Sequence, residues 1–143
     1  MKAAILSVGT EILFGQIVNT NSVYLSRKLN AAGIDVMYHY TVGDNHGRLA
    51  EMIETCFRDC DLVITTGGLG PTQDDMTKET ACSVMGDSLI MDEEILDMIK
   101  ERFKAYKGKG VMTPNNAKQA EMPSRCKVFY NHHGTAPGFP PDR

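Results

Sequence analysis

Residues 65–79 read TTGGLGPTQDDMTKE, and this stretch decides the fold class. The segment that leads into it, DLVITT at residues 61–66, is mostly apolar and β-branched, as in a strand that is buried on both faces. Glycines and Pro71 then turn the chain, and two aspartates come just before a segment with helical spacing. A strand that passes through a glycine-rich turn into a helix is half of a parallel βαβ unit. The stretch therefore predicts an α/β protein.

Strand and helix patterns alternate on both sides of this stretch. Strands are predicted at residues 3–8, 34–42 and 61–66, and the loop GTEILFGQ follows the first of them. Helices are predicted from Asn19 or Thr20 to Ala32, along the apolar repeat that starts at Leu49, and over about 75–85 and 92–107. A short helix with Pro114 in its first turn and a candidate strand at 127–130 complete the order. This order predicts an α/β sandwich with a mostly parallel sheet, formed by residues 1–143 as a single domain.

Composition narrows the class of partner. Of the 143 residues 42% are hydrophobic and 23% are charged, and the net charge is −3 with the two signs interleaved. This balance argues against nucleic-acid or membrane binding driven by bulk charge, so we expect neither partner. The first residues read as a strand and not as a signal peptide, which favours a cytoplasmic protein. The four cysteines lack the spacing of a zinc site and are expected to be reduced thiols in the core.

The opening stretch has the chemistry of a phosphate-binding loop. Gly67, Gly68 and Gly70 allow a ligand to approach the backbone, and N–H groups in such a turn can bind an anion. Asp74 and Asp75 would repel a phosphate unless a divalent cation such as Mg²⁺ lay between them. One helical turn later, a lysine could also reach a phosphate oxygen; this residue is Lys78. The alternative is a tight turn in which one of the aspartates caps the helix.

Polar residues also follow the first two predicted strands, and their carboxyl ends meet at one edge of a parallel sheet. Thr10 and Asn19 could hydrogen-bond a ribose or a phosphate, and Glu11 could act as a base or as a metal ligand. Asp44 follows the second strand. Each has a structural alternative: Glu11 as a solvated carboxylate and Asp44 as a helix N-cap. Carboxylates from two strand ends around one phosphate loop would suit metal-assisted phosphoryl chemistry.

Five segments, in this order, resemble the N-terminal domain of the CinA family of competence- and damage-inducible proteins. They are GTEILFGQIVNTN, VGDNHGRL, DLVITTGGLGPTQDDMTKE, NNAKQAEMP and NHHGTAPGF. The third is typical of the wider molybdopterin-binding superfamily, which includes MoaB, MogA and MoeA. The first and last point to CinA itself. The resemblance runs from the first strand to Gly138.

The resemblance implies a three-layer α/β/α fold and metal-dependent hydrolysis of ADP-ribose to AMP and ribose 5-phosphate. By residue, it implies a phosphate loop at Gly67, Gly68, Gly70 and Thr72 and an acidic metal-binding pair at Asp74 and Asp75. It further implies site positions in the first loop, after the second strand and in a late loop that closes over the ligand. These positions are Glu11, Asn19, Asp44, Gly134 and Thr135. On this basis we expect Asp44, Asp75 and Glu11 to be catalytic and Asp44, Asp74 and Asp75 to bind the metal.

Two other functions stay open. Relatives in molybdenum-cofactor assembly bind molybdopterin, and some adenylylate it with ATP and magnesium, through the same loop. A catalytically silent binding module that forms homo-oligomers is the third possibility. The family's proteins continue into further domains, including a nicotinamide-nucleotide amidohydrolase, so we expect this chain to be a C-terminally truncated form without that activity.

Overall fold

The computed structural model describes residues 1–107 and 112–140, which fall into two compact units. The first unit, Met1–Gly68, contains β1 (Lys2–Val8), α1 (Thr10–Leu13), α2 (Thr20–Ala31), β2 (Asp35–Val42), α3 (His46–Asp59) and β3 (Leu62–Thr66). Its strands form a parallel sheet in the order β2-β1-β3. This confirms the α/β class with a mostly parallel sheet.

Strand β1 is the centre of this unit because helices cover both of its faces. Ala3 and Ile5 pack with Leu29 of α2 on one face, and Ala4 packs with Cys56 and Cys60 at the end of α3 on the other. Alternate side chains of a strand point to opposite faces, so an apolar run without polar interruptions is what a doubly covered strand requires. The first unit therefore has the three α/β/α layers that were expected.

The second unit starts at Leu69 and has a smaller, antiparallel sheet. Its elements are α4 (Thr77–Val84), β4 (Leu89–Met91), α5 (Glu93–Lys107), α6 (Pro114–Ala117), a 3₁₀ turn (Lys118–Ala120) and β5 (Glu121–Pro123). Strands β4 and β5 pair with each other. The core of the unit contains Ile95 and Ile99 of α5 together with Ala120 and Met122.

Several predicted elements differ from the observed ones. The first loop contains the one-turn helix α1, and α4 begins at Thr77 and not near residue 75. The candidate strand at 127–130 is reduced to an isolated bridge between Phe129 and Gly138. Strands β4 and β5 were not predicted, because three residues are too few to show a period of two. That the whole chain is one domain stays a prediction.

Two expectations about composition can be compared with the structure. The cysteines are free, and three of the four are buried. Burial raises the pKa of the Cys56 thiol to about 11, so this thiol stays protonated at neutral pH. In the described part of the chain, no helix has both the length and the apolar character that crossing a membrane requires.

Candidate functional site

The ends of β1 and β2 are joined by a pair of polar side chains. The strands pair in register up to Val8 and Val42. Two residues beyond each end, Asp44 Oδ2 accepts hydrogen bonds from the backbone N–H (3.1 Å) and the Oγ1 hydroxyl (2.7 Å) of Thr10. The backbone N–H of Asp44 donates in return to Thr10 Oγ1 at 3.1 Å. We call this pair the strand-end clamp; it brings together two of the predicted site residues.

The alternative role for Asp44, as a helix cap, is wrong. The N-cap of α3 is Asn45, whose Oδ1 accepts from the backbone N–H of Arg48 at 3.0 Å. Asp44 instead lies at the start of α1, where a carboxylate is favoured by the unpaired N–H groups of the first turn. Its second oxygen, Oδ1, has no hydrogen bond to the described part of the chain.

Glu11 and Asn19 occupy the first loop in different ways. The side chain of Glu11 is exposed and folds back over Gly9, where a Cβ would lie 2.5 Å from Glu11 Oε1. The amide of Asn19 is used by the fold: its Oδ1 caps α2 by accepting from Ser22 N–H, and its Nδ2 donates to the buried Ser7 Oγ at 2.8 Å. Asn19 thus positions the loop, and its predicted contact with a ligand stays a prediction.

The first two glycines of the opening stretch have backbone conformations that favour glycine. Gly67 has φ +96°, and a Cβ there would lie 2.0 Å from the carbonyl oxygen of Val8 in the neighbouring strand. Gly68 has φ +63°. The requirement at position 67 therefore comes from the close approach of β1, and it would exist without any ligand.

The second half of the stretch belongs to the second unit and folds around its own carboxylate. Asp75 Oδ2 accepts from the backbone N–H (2.9 Å) and the Oγ1 hydroxyl (2.5 Å) of Thr72, and the Gly70 backbone also donates to this carboxylate. A Cβ on Gly70 would lie 2.5 Å from Asp75 Oδ2, so glycine leaves room for the carboxylate. We call this arrangement the loop clamp.

The loop clamp bears on two expectations. The N–H groups of Gly70 and Thr72, predicted to hold a phosphate, here hold Asp75. Neither aspartate caps α4, because its N-cap is Met76 without a side-chain hydrogen bond. Burial acts to raise the pKa of Asp75, but the hydrogen bonds from Thr72 and Gly70 and the charge of Lys118 outweigh it, and the pKa is lowered. Asp75 is thus held as an anion.

The lysine that contacts this loop is not the predicted one. Lys78 is only 6% exposed, and its ammonium donates to the carbonyl oxygens of Lys118 (3.0 Å) and Gln119 (3.3 Å). Burial lowers its pKa, as expected for a cation removed from water. In this arrangement the ammonium of Lys78 anchors the 3₁₀ turn, and its predicted contact with a phosphate stays a prediction.

Lys118 takes the place that had been predicted for Lys78. Its ammonium donates to the carbonyl oxygens of Thr72 (3.1 Å) and Asp75 (2.6 Å) and pairs with Glu79 Oε1 at 2.9 Å. These three partners use all the donors of an ammonium group. Sequence reasoning missed Lys118 because more than forty residues separate it from the loop; its one signal was its place in the segment NNAKQAEMP.

Gln119, next to Lys118, contacts the start of the same loop. It is 3% exposed, and its Nε2 lies 3.5 Å from the carbonyl oxygen of Leu69, the limit for a hydrogen bond. Its Oε1 is buried and has no hydrogen-bond partner in the described part of the chain. A cleft of about 400 Å³ also borders the loop, with Thr72, Gln73, Lys118 and Glu121 among its lining residues.

The late loop is built around Asn131. Its Oδ1 accepts from the N–H groups of His133 (2.9 Å) and Gly134 (3.0 Å), and its Nδ2 donates to the carbonyl of Ala136 at 3.0 Å. The guanidinium of Arg102, on α5, donates to the carbonyl oxygens of Asn131 and Gly134. The predicted residues Gly134 and Thr135 line a largely apolar cavity of about 420 Å³ together with Arg102 and Phe103. Arg102 was not predicted from the sequence.

A divalent metal fits the donors of the second unit only in part. Among the described residues, no three or more histidines, cysteines, aspartates or glutamates form a metal-binding group. Asp74 is exposed beside Asp75, and magnesium commonly takes one or two carboxylates and completes its shell with phosphate and water. The residues therefore fit an ion that arrives with a phosphate ligand and would be held by Asp74 and Asp75.

Comparison with known proteins shows which family the chain belongs to. A family model described as "Probable molybdopterin binding domain" matches residues 4–141, which spans both units. The crystal structure of a CinA protein of unknown function from Thermoplasma acidophilum is 37% identical, with a TM-score of 0.87 over 96% of this chain and 79% of that one. The chain belongs to the CinA branch of the molybdopterin-binding domain family.

Other relatives are longer than this chain or share less of its sequence. A competence-damage inducible protein of Acetivibrio thermocellus is 54% identical over 96% of this chain, and one of Clostridium botulinum is 50% identical over 97%. This chain spans 33% and 34% of those relatives, about a third of their length. The molybdopterin biosynthesis enzyme MoaB of Thermus thermophilus is 17% identical with a TM-score of 0.57 over 85% of this chain and 78% of that one, which shows a shared fold alone.

Proposed function

We propose that this chain binds a nucleotide diphosphate and hydrolyses it, with ADP-ribose as the representative substrate and a divalent metal as cofactor. The proposal concerns a segment of about a third of its curated relatives' length, so the activity of the whole protein is part of the proposal. Homo-oligomer formation and a cytoplasmic location also belong to the proposal.

One observation carries it: the loop before α4 already binds an oxyanion. Two N–H groups and one hydroxyl, from Gly70 and Thr72, converge on the carboxylate of Asp75. A phosphate oxygen requires the same kind of donors at the same distances. The adjacent Asp74 is exposed and adds a carboxylate for the cation that a diphosphate carries. The loop thus has donors for an anion beside ligands for a metal.

The residues have separate roles in this proposal. A bound divalent metal supplies charge neutralisation at the diphosphate and lowers the pKa of a coordinated water. Asp74 and Asp75 hold that ion, Thr72 orients a phosphate oxygen, and Lys118 fixes the loop through the carbonyls of Thr72 and Asp75. Glu11 is proposed to accept the proton of the attacking water.

The remaining predicted residues keep roles that follow from their contacts. Asp44 holds Thr10 at the end of β1 through Oδ2. Its predicted role as a metal ligand, which would use the second oxygen, Oδ1, remains a proposal. Gly134 and Thr135 belong to the loop that we propose to cover the ligand.

Binding of molybdopterin, with adenylyl transfer from ATP, is the second candidate. The description of the family model and the shared fold with MoaB support it. Hydrolysis is preferred because the similarity is much greater to CinA, at 37% identity, than to MoaB, at 17%. The first and last of the quoted segments are also the ones that resemble CinA in particular.

Product analysis separates the two candidates. The purified chain is incubated with ADP-ribose, and separately with ATP and molybdopterin, each with Mg²⁺ or with EDTA. We expect AMP from ADP-ribose in the Mg²⁺ sample, and adenylylated pterin would instead support the second candidate. Glu11→Gln should slow AMP release about 100-fold, as removal of a general base does, while the exposed Glu51→Gln serves as the matched control. Absence of both products would refute both catalytic functions.

A further inference from the structure

The donors that make the loop suitable for a phosphate are not free. The N–H and hydroxyl of Thr72 and the backbone of Gly70 all bind the Asp75 carboxylate. A phosphate cannot use these donors while Asp75 remains, because each N–H or O–H makes one good hydrogen bond. The same carboxylate would also repel the incoming anion. As it stands, the loop is closed by its own side chain.

Charge around the loop makes entry of a metal-free anion still less favourable. Asp74 and Asp75 lie in the loop, and Glu79 is in the first turn of the helix that follows it. The ammonium of Lys118 offsets part of the charge of these three carboxylates, but it is already paired with Glu79. Lys78 contributes little, since its ammonium is buried against backbone carbonyls.

A second, independent observation concerns the beginning of the same loop. Gln119 is 97% buried, yet its Oε1 has no donor among the described residues, and its Nε2 reaches Leu69 only at 3.5 Å. A buried acceptor without a partner destabilises a protein, so proteins rarely keep one without a reason. The present conformation therefore leaves a polar group beside the start of the loop unsatisfied, which favours a second conformation.

We propose that Asp75 is a placeholder that occupies the anion site of its own loop until a metal-bound phosphate displaces it. On binding, the carboxylate leaves the donors of Gly70 and Thr72 and becomes a ligand of the incoming cation. The released N–H and hydroxyl groups then bind the phosphate oxygens. This exchange makes the chain select the metal complex of the anion over the free anion. It rests on the proposed function for the identity of the ligand, and it adds how that ligand enters.

Removing a placeholder residue should change the binding affinity in the opposite direction from removing an ordinary ligand-binding residue. If Asp75 only bound ligand or metal, its removal would weaken binding under all conditions. As a placeholder, Asp75 competes with the phosphate, so Asp75→Ala should strengthen binding in the absence of metal. We expect a gain of about tenfold, which corresponds to about one charge-assisted hydrogen bond. The effect of Mg²⁺ on affinity should shrink at the same time.

Calorimetric titration in EDTA and in Mg²⁺ tests this, with ADP-ribose as one probe and inorganic pyrophosphate as the other. The variants are Asp75→Ala and Asp75→Asn, the second of which keeps an acceptor for Thr72 and so preserves the loop. Asp87→Asn is the matched control, because Asp87 is also held by a hydroxyl and backbone N–H groups, from Ser124, Ser88 and Arg125. The parent should bind both probes at least tenfold more tightly in Mg²⁺, and Asp87→Asn should behave like the parent.

The outcomes separate this inference from the proposed function. Stronger binding by Asp75→Ala in EDTA supports the placeholder, and Asp75→Asn should show a smaller gain, because it removes the charge but keeps an acceptor for Thr72. Equal or weaker binding by both variants overturns it, as does a parent whose affinity is independent of Mg²⁺. If the parent does not bind ADP-ribose but the variants bind pyrophosphate more tightly than the parent does in EDTA, the proposed substrate is wrong and the placeholder stands. If pyrophosphate shows no gain either, both fail.

Discussion

Two threonine–aspartate pairs in this chain make the same contact in different settings. In the strand-end clamp and in the loop clamp, one carboxylate oxygen accepts from both the backbone N–H and the hydroxyl of a threonine. The first pair spans 34 residues and joins two strand ends, whereas the second spans three residues inside one loop. The same donor geometry thus fixes tertiary structure in one place and shapes a local turn in the other.

The difference lies in what each carboxylate can do next. Asp44 is locked from both sides, because its own N–H donates back to Thr10. The backbone N–H of Asp75 also donates back to its threonine, to the Thr72 carbonyl oxygen, but at 3.3 Å and within one turn, and Thr72 is exposed. Opening the strand-end clamp would release from each other the two segments that follow β1 and β2, while opening the loop clamp changes one exposed turn. A tertiary clamp is therefore expected to contribute more to stability, and a local one should open at a lower cost.

The glycines beside the two clamps give the largest expected contrast. Gly67→Ala should unfold the chain or cost more than about 3 kcal/mol, because the Cβ would meet the Val8 carbonyl at 2.0 Å and φ is positive. Gly70→Ala should cost about 1 kcal/mol, since the atom it meets, Asp75 Oδ2, belongs to a side chain that can move. Chemical denaturation followed by circular dichroism measures both.

Gly33→Ala is the control for these two variants. Gly33 has φ +74° and open space at its Cβ, so its substitution reports the conformational cost alone, about 1 kcal/mol. Equal losses for positions 33 and 67 would show that the approach of Val8 is unimportant.

Removing the carboxylate of each clamp should also give different losses in the free energy of unfolding, but the difference should be smaller than for the two glycines. Asp44→Ala should lower the free energy of unfolding by about 2–3 kcal/mol, because it leaves Thr10 without its partner at a partly buried position. Asp75→Ala should lower it by about 1 kcal/mol or less, since water can replace the carboxylate at exposed Thr72. Thr10→Val, which keeps the backbone donor, should fall between them. Comparable losses for Asp44→Ala and Asp75→Ala would contradict the distinction between tertiary and local clamps.

How well the sequence predicted each feature depends on whether the interactions that form it are local in the chain. Long periodic elements such as α3 were predicted because their apolar repeats are local, and the turn around Gly70 was recognised as special for the same reason. The partners inside the site were predicted poorly. Thr10 and Asp44 were both named, but their contact depends on the register of β1 with β2.

Lys78 and Lys118 show most clearly which contacts could not be predicted from the sequence. Lys78 was chosen because it is close to the loop in the sequence, yet burial turns its ammonium toward the 3₁₀ turn. Lys118 and Arg102 reach their loops from elements 29 to 46 residues away, and no local pattern predicts such contacts. The residue types at a site could thus be read from motifs, while their pairing required the fold.

The response to acid gives the smallest and most specific test of the loop clamp. The pKa of Asp75 is lowered from its ordinary value of 3.8, so the folded state favours the ionised carboxylate. Its contribution to stability is complete above pH 4 or so and is lost as the pH falls through the lower, folded-state pKa. Thermal unfolding is measured in EDTA between about pH 2.5 and 6, the range over which carboxylates titrate. The melting temperature of the parent should exceed that of Asp75→Asn at the upper end of this range, and the difference should narrow toward the lower end. A margin that stays constant with pH would mean that the carboxylate charge contributes nothing to the loop, and the placeholder would lose its electrostatic basis.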